Sequence, residues 1–75
     1  MPTVNMTATG ANIHKMVKDR KITIAYIQNI FGFNTPQAIY KWFRGDTLPT
    51  IDNMVVLAKI LETTIDAIVV TDTAD

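Results

Sequence analysis

The sequence predicts an all-α fold of five short helices, and three observations carry that prediction. Apolar residues return at spacings of three and four, as one face of a helix requires, and no segment alternates convincingly as a strand would. Thr23, Thr50 and Thr64 each stand just before such a run, where a hydroxyl can accept a bond from a first-turn amide. Gly32 and Gly45 each follow one, where a left-handed residue closes a helix. The nearest approach to a strand is "AIVVT", apolar and β-branched, at residues 67–71.

The first helix is expected over residues 8–20, with Ile13, Met16 and Val17 on the buried stripe and Lys15, Lys18 and Arg20 on the wet side. The second runs from the Thr23 cap to Gly32, with Ile24, Ile27, Ile30 and Phe31 at helical spacing. In "FNTPQ", Asn34 or Thr35 is the expected cap of the third helix, residues 36–44, with Pro36 in the first helical position, where a missing N–H costs nothing. At about 100° per residue, Gln37, Tyr40, Lys41 and Arg44 share one arc of this helix and Ile39, Trp42 and Phe43 gather opposite. After the "DTLPT" loop, Thr50 caps a fourth helix whose buried stripe is expected to be Ile51, Met54, Val55, Ala58 and Leu61, with Lys59 and Glu62 in water. Thr64 caps a short fifth, "IDAIVV". The expected domain is the whole of residues 1–75, with its core over about 8–70, a flexible arm at 1–7 and a frayed tail at 71–75.

Composition narrows the function classes. Seventy-five residues allow one small domain, and domains of that size are marginal enough that pairing is a common source of stability. The chain has no cysteine, hence no disulfide and no thiolate metal site, and no serine to serve as a nucleophile. Its carboxylates are scattered, and His14 has no other ligand type converging on it, so neither catalysis nor a metal is expected. No cofactor or small-molecule ligand is expected either. The opening residues lack a basic stretch followed by an apolar one, and no 18 apolar residues run together, so a soluble cytoplasmic protein is expected, with no membrane partner.

A net charge of zero would argue against a nucleic-acid binder if it were evenly spread. It is not. Residues 1–44 hold Lys15, Lys18, Arg20, Lys21, Lys41 and Arg44 against Asp19 alone, while residues 45–75 hold six acids against Lys59. A chain polarised in this way can offer one end to a polyanion.

A two-turn helix, a glycine turn and a second helix with one polar face is the helix-turn-helix arrangement. "IHKM", "KITIAYIQNIFGF", "AIYKWFRGDTLP" and "IDNMVVLAKILETTIDAI", in that order over about residues 11–69, resemble the Cro/repressor-type (XRE) helix-turn-helix domains. The resemblance implies a lambda-repressor-like five-helix domain that binds double-stranded DNA and regulates transcription, with the third helix in the major groove. By matching position, Thr35, Gln37, Tyr40 and Lys41 would face bases or nearby phosphates, with Asn34 beside them in the turn. Gln37 can pair with adenine N6 and N7, and Lys41 can reach guanine O6 and N7. Arg44, the amides of Gly45 and Asp46, and Thr23 at the start of the second helix are expected at phosphates.

The sequence departs from the family pattern in places. Gly32 to Ile39 is seven steps where six are usual, so the turn is one residue longer. Gln28 stands where a small Ala is common, and Ile24 where a Gln often contacts DNA. An Arg and Glu that often join the first and third helices are matched by Val17 and Phe43, so an apolar contact between those two is expected instead. Ile65, Ile68, Val69 and Val70 exceed what a terminal helix needs for its own core, and are the expected seam of a homodimer on a pseudo-palindromic operator. The rival is a helix-turn-helix used as a protein-interaction module or antitoxin-like subunit.

Overall fold

A computed structural model describes residues 2–73 and contains five helices and one small sheet, in the order β1 (Pro2–Val4), α1 (Met6–Asp19), α2 (Ile24–Phe31), α3 (Gln37–Arg44), α4 (Ile51–Ile60), α5 (Ile65–Ile68) and β2 (Thr71–Thr73). Met1, Ala74 and Asp75 lie outside the described residues. No helix among them is long and apolar enough to cross a membrane.

The helices start as their caps dictate. Thr23, Thr50 and Thr64 accept from the amides of Tyr26, Asn53 and Ala67, each satisfying one first-turn donor. The first helix begins at Met6, earlier than its apolar spacing indicates, because Asn5 caps it through the Ala8 amide at 2.9 Å. Four helices end alike. Residues Lys21, Gly32, Gly45 and Glu62 are left-handed, and the next residue's amide reaches back five positions to a carbonyl, as in Ile22 to Val17 and Thr63 to Ala58. In α1 and α4 this turn is made by Lys21 at φ 56° and Glu62 at φ 54°, a backbone geometry that costs a β-carbon-bearing residue about 1 kcal/mol. Arg20 and Glu62 form an ion pair of 2.6 Å that links the ends of these two helices.

The core consists of Ile13, Val17, Ile27, Ile39, Trp42, Met54, Leu57, Ala58, Leu61 and Ile68. In α4 the buried stripe is Met54, Leu57, Ala58 and Leu61, whereas Ile51 and Val55, expected inside, are 69% and 42% exposed. Leu57 decides the rotation of this helix. With Leu57 fully buried, the arc containing Val55 is carried outward.

Strands β1 and β2 pair antiparallel with Pro2 opposite Thr73 and Val4 opposite Thr71, so residues 2–4 of the expected arm and 71–73 of the expected tail form a two-stranded sheet. Three polar residues of the first helix and its cap hold the returning chain. The Asn5 amide donates to the Val70 carbonyl at 2.8 Å. The fully buried Thr9 hydroxyl accepts from the Val70 amide at 2.9 Å. Asn12 Nδ2 donates to the Ala67 and Ile68 carbonyls at 2.9 Å each. These bonds run through the stretch that holds the expected dimer seam. Ile68 is fully buried, Ile65 and Val69 pack on the core, and Val70 is bonded to α1. The fifth helix ends at Ile68, because Val69 is already extended at ψ 125°.

The first and third helices cross with almost no space between them. A β-carbon on Gly10 would collide with the Trp42 carbonyl oxygen and lie 2.8 Å from the Gly45 nitrogen. One on Gly45, which is also left-handed at φ 76°, would lie 2.7 Å from the Met6 carbonyl oxygen. Each backbone fills the place of the other's missing side chain. Gly10→Ala should destabilise the protein by about 3 kcal/mol, since backbone rather than a movable side chain must give way. Lys21→Gly, at a left-handed position, should stabilise it by about 0.5–1 kcal/mol. Thermal denaturation of the two variants checks both signs.

Candidate nucleic-acid interface

The third helix is aimed by what lies behind it. Ile39 is fully buried and Trp42 nearly so. The indole meets Phe31 and Phe33 edge-on, with ring centroids 5.5 and 5.7 Å away, and those two rings stack on each other at 5.4 Å. Phe31 and Phe33 flank Gly32, so the turn between the helices is clamped to the helix that it introduces. Edge-to-face pairs of this kind add about 0.5–1.5 kcal/mol beyond the area they bury. The turn continues through the irregular segment 33–36 that follows the α2 cap.

With Ile39 and Trp42 turned inward, the opposite arc is exposed. Gln37, Tyr40, Lys41 and Arg44 line one shallow hollow of about 250 Å³. These are the four residues that helical spacing placed together. Tyr40 rests edge-on against Phe43 at 6.3 Å, and Phe43 lies flat on the His14 imidazole at 4.3 Å with an angle of 11° between the rings. Phe43 is half-buried and packs on the core cluster, of which Val17 is a member. The histidine, though exposed, has a packing role that its place in the sequence does not reveal.

Several expected anion contacts look different in the structure. The amides of Gly45 and Asp46 are not available, because they donate to the Trp42 and Lys41 carbonyls at 3.0 Å and so close the third helix. Arg44 Nε bonds the Asp46 carboxylate at 2.8 Å, with both side chains more than half exposed. Such an exposed pair is worth at most about 1 kcal/mol and can open for a stronger partner. Neither Asn34 nor Thr35 caps α3. Pro36 occupies that position, and no side chain accepts from the first-turn amides. Asn34 and Thr35 are exposed beside those amides, which leaves the positive end of the helix dipole open. Thr23 lies apart from the hollow on α3, and with Lys21, Ile22, Tyr26 and Ile60 it lines another of about 340 Å³.

The electrostatics are milder than the chain asymmetry indicates. Lys15, Arg20 and Arg44 are paired with Asp19, Glu62 and Asp46, whereas Lys18, Lys21 and Lys41 form no ion pair among the described residues. Of these, Lys41 is on the exposed arc of α3. No group of His, Cys, Asp or Glu that could hold a metal ion occurs among the described residues.

Residues 13–68 match the family described as Helix-turn-helix, a span that contains α2, the clamped turn and α3 with its flanking helices. The chain is a member of the XRE-type helix-turn-helix family. No curated protein and no solved structure matches it. The family is a DNA-binding one associated with transcription regulation, and the five-helix arrangement agrees with its lambda-repressor-like fold. In this helix-turn-helix protein, sequence reading placed the outward arc of α3 but not the stack of His14 on Phe43, nor the hollow that Lys21 and Tyr26 line with Thr23. The first could have been suspected from the position of His14 four residues after Gly10, on a helix pressed against α3. His14→Ala should lower stability by about 0.5–1.5 kcal/mol through loss of the stack on Phe43. A fall in melting temperature of several degrees, at about 4–8 °C per kcal/mol, checks it.

Proposed function

We propose that the protein is a sequence-specific binder of double-stranded DNA and a repressor-like transcription regulator that places α3 in the major groove. The observation that carries this reading is the hollow formed by Gln37, Tyr40, Lys41 and Arg44 on a helix whose other side is fixed by buried Ile39 and Trp42. A rigid rod with hydrogen-bonding and cationic side chains along one edge has the shape and the chemistry that base edges require. Gln37 reads adenine through N6 and N7, and Lys41 reads guanine through O6 and N7. Tyr40 and Thr35 contact a phosphate or a thymine methyl, while Asn34 and the open first-turn amides of α3 lie against the backbone. Arg44 exchanges Asp46 for a phosphate, a charge-assisted contact at least as strong as the one it leaves. Thr23, beside Lys21 in the separate hollow at the start of α2, contributes a further phosphate contact.

Regulation by such a protein consists of occupying an operator, in competition with whatever else must bind there. Its operator is pseudo-palindromic, and two copies of the chain bind it, one per half-site.

Selection of randomised duplexes on the purified protein is expected to return a defined motif, bound more weakly as salt rises from about 50 to 200 mM. Gln37→Ala should relax preference at one base position, with about 1–3 kcal/mol of discrimination lost, while Arg44→Ala should weaken all sequences alike and reduce the salt slope by about one. Asp46→Asn, by releasing Arg44, should act in the opposite direction to Arg44→Ala. Recovery of no motif, with a protein partner co-purifying, would favour an interaction module instead.

A further inference from the structure

The outer face of α4 has the pattern of an interface with a second copy of itself. Asp52, Val55, Val56 and Lys59 are spaced i, i+3, i+4 and i+7, so they share an arc of about 100° on the side away from buried Met54, Leu57, Ala58 and Leu61. The two valines are 42% and 38% exposed, and the acid and the base stand about 10 Å apart along the axis, one at each end of the apolar pair. Neither charge has an ion-pair partner among the described residues.

We infer that two copies of this protein pair through α4, antiparallel, around a two-fold axis passing between Val55 and Val56. The midpoint of Asp52 and Lys59 is also the midpoint of the two valines. Rotation about that point sets Asp52 of each copy opposite Lys59 of the other and brings the valines together at the centre. Such self-complementarity is what an isologous contact requires. A parallel alignment would instead set like charges against each other. Ile51, 69% exposed at the start of the helix, extends the apolar edge beside Val55.

A ten-residue helix buries less than the roughly 1,200 Å² usual for stable complexes, so the pairing is weak in free solution. The inference deepens the operator-binding reading by naming the surface that joins the two copies. The seam itself does not depend on α3 reaching DNA.

Sedimentation equilibrium in buffer free of nucleic acid separates the two questions. The unaltered protein should show reversible dimerisation at concentrations up to about 1 mM, the weak end of measurable affinity. Asp52→Lys and Lys59→Asp should each weaken it about tenfold, and the double reversal should restore it, because the exchanged charges again meet their opposites. Reversed charges also oppose the dipole of α4, so circular dichroism must show each variant folded at the temperature of measurement. Val55→Glu, which leaves the helix ends unchanged, should abolish pairing. A protein that stays monomeric throughout, charge reversals without effect, or a double reversal no better than the single ones would overturn the seam. None of these results would bear on whether the monomer binds a half-site duplex.

Discussion

The crossing of α1 over the end of α3 is the constraint from which the rest of the molecule follows. Gly10 and Gly45 let two backbones approach until each occupies the space of the other's absent side chain. At that separation the third helix cannot roll. Its buried residues, Ile39 and Trp42, are held at one angle, and the arc bearing Gln37, Tyr40, Lys41 and Arg44 is held at the opposite one. The aromatic contacts then act at the two sides of the same helix. Phe31 and Phe33 grip the indole from the turn, and His14 covers Phe43 from α1. An eight-residue helix is too short to be stable alone, so its orientation and its existence come from the same contacts.

The first helix has a second task along another edge. Asn5, Thr9 and Asn12 bond the backbone of Ala67, Ile68 and Val70, which brings the end of the chain back to its beginning and allows Pro2–Val4 to pair with Thr71–Thr73. Thr9 is fully buried, and a buried hydroxyl is tolerated only when bonded. Here it accepts from the Val70 N–H, just before β2. A segment bonded this way through its backbone packs Ile68 fully inward and leaves Ile65, Val69 and Val70 half-buried.

Legibility in the sequence depended on whether a residue's role was set by its own helix or by a distant one. The Thr23, Thr50 and Thr64 caps, the ends at Gly32 and Gly45, and the polar arc of α3 are local properties, and each stands where spacing and chemistry place it. Asn5 as a cap was hidden because "MTATG" has no apolar rhythm to announce a helix. The sheet was hidden because neither three-residue strand means anything without the other, 67 residues away at Val4 and Thr71. The rotation of α4 failed for a different reason. Ile51, Met54, Val55 and Ala58 form a sound helical stripe, but so do Met54, Leu57, Ala58 and Leu61, and only packing against the other helices chooses between them. At the site, position alone points the amides of Gly45 and Asp46 to an anion, whereas the left-handed turn at Gly45 gives them to carbonyls of α3 and sets Arg44 beside Asp46.

The choice that packing makes in α4 ties the two proposed surfaces together. Four side chains on a short rod, of which one cation is already paired, offer few contacts to a duplex. A single copy is limited both in affinity and in the number of base pairs that it can distinguish, because each good base contact contributes only about 1–3 kcal/mol of discrimination. A second copy doubles the bases read, and a weak joint between copies is enough to couple them, since a neighbour held on adjacent DNA meets its partner at a high effective concentration. Weakness has a use here. In the proposed pair, assembly mainly on the operator would make occupancy rise steeply with the amount of protein. The exposed valines between Asp52 and Lys59 are thus what the rotation of one helix leaves outside when Leu57 takes the inside.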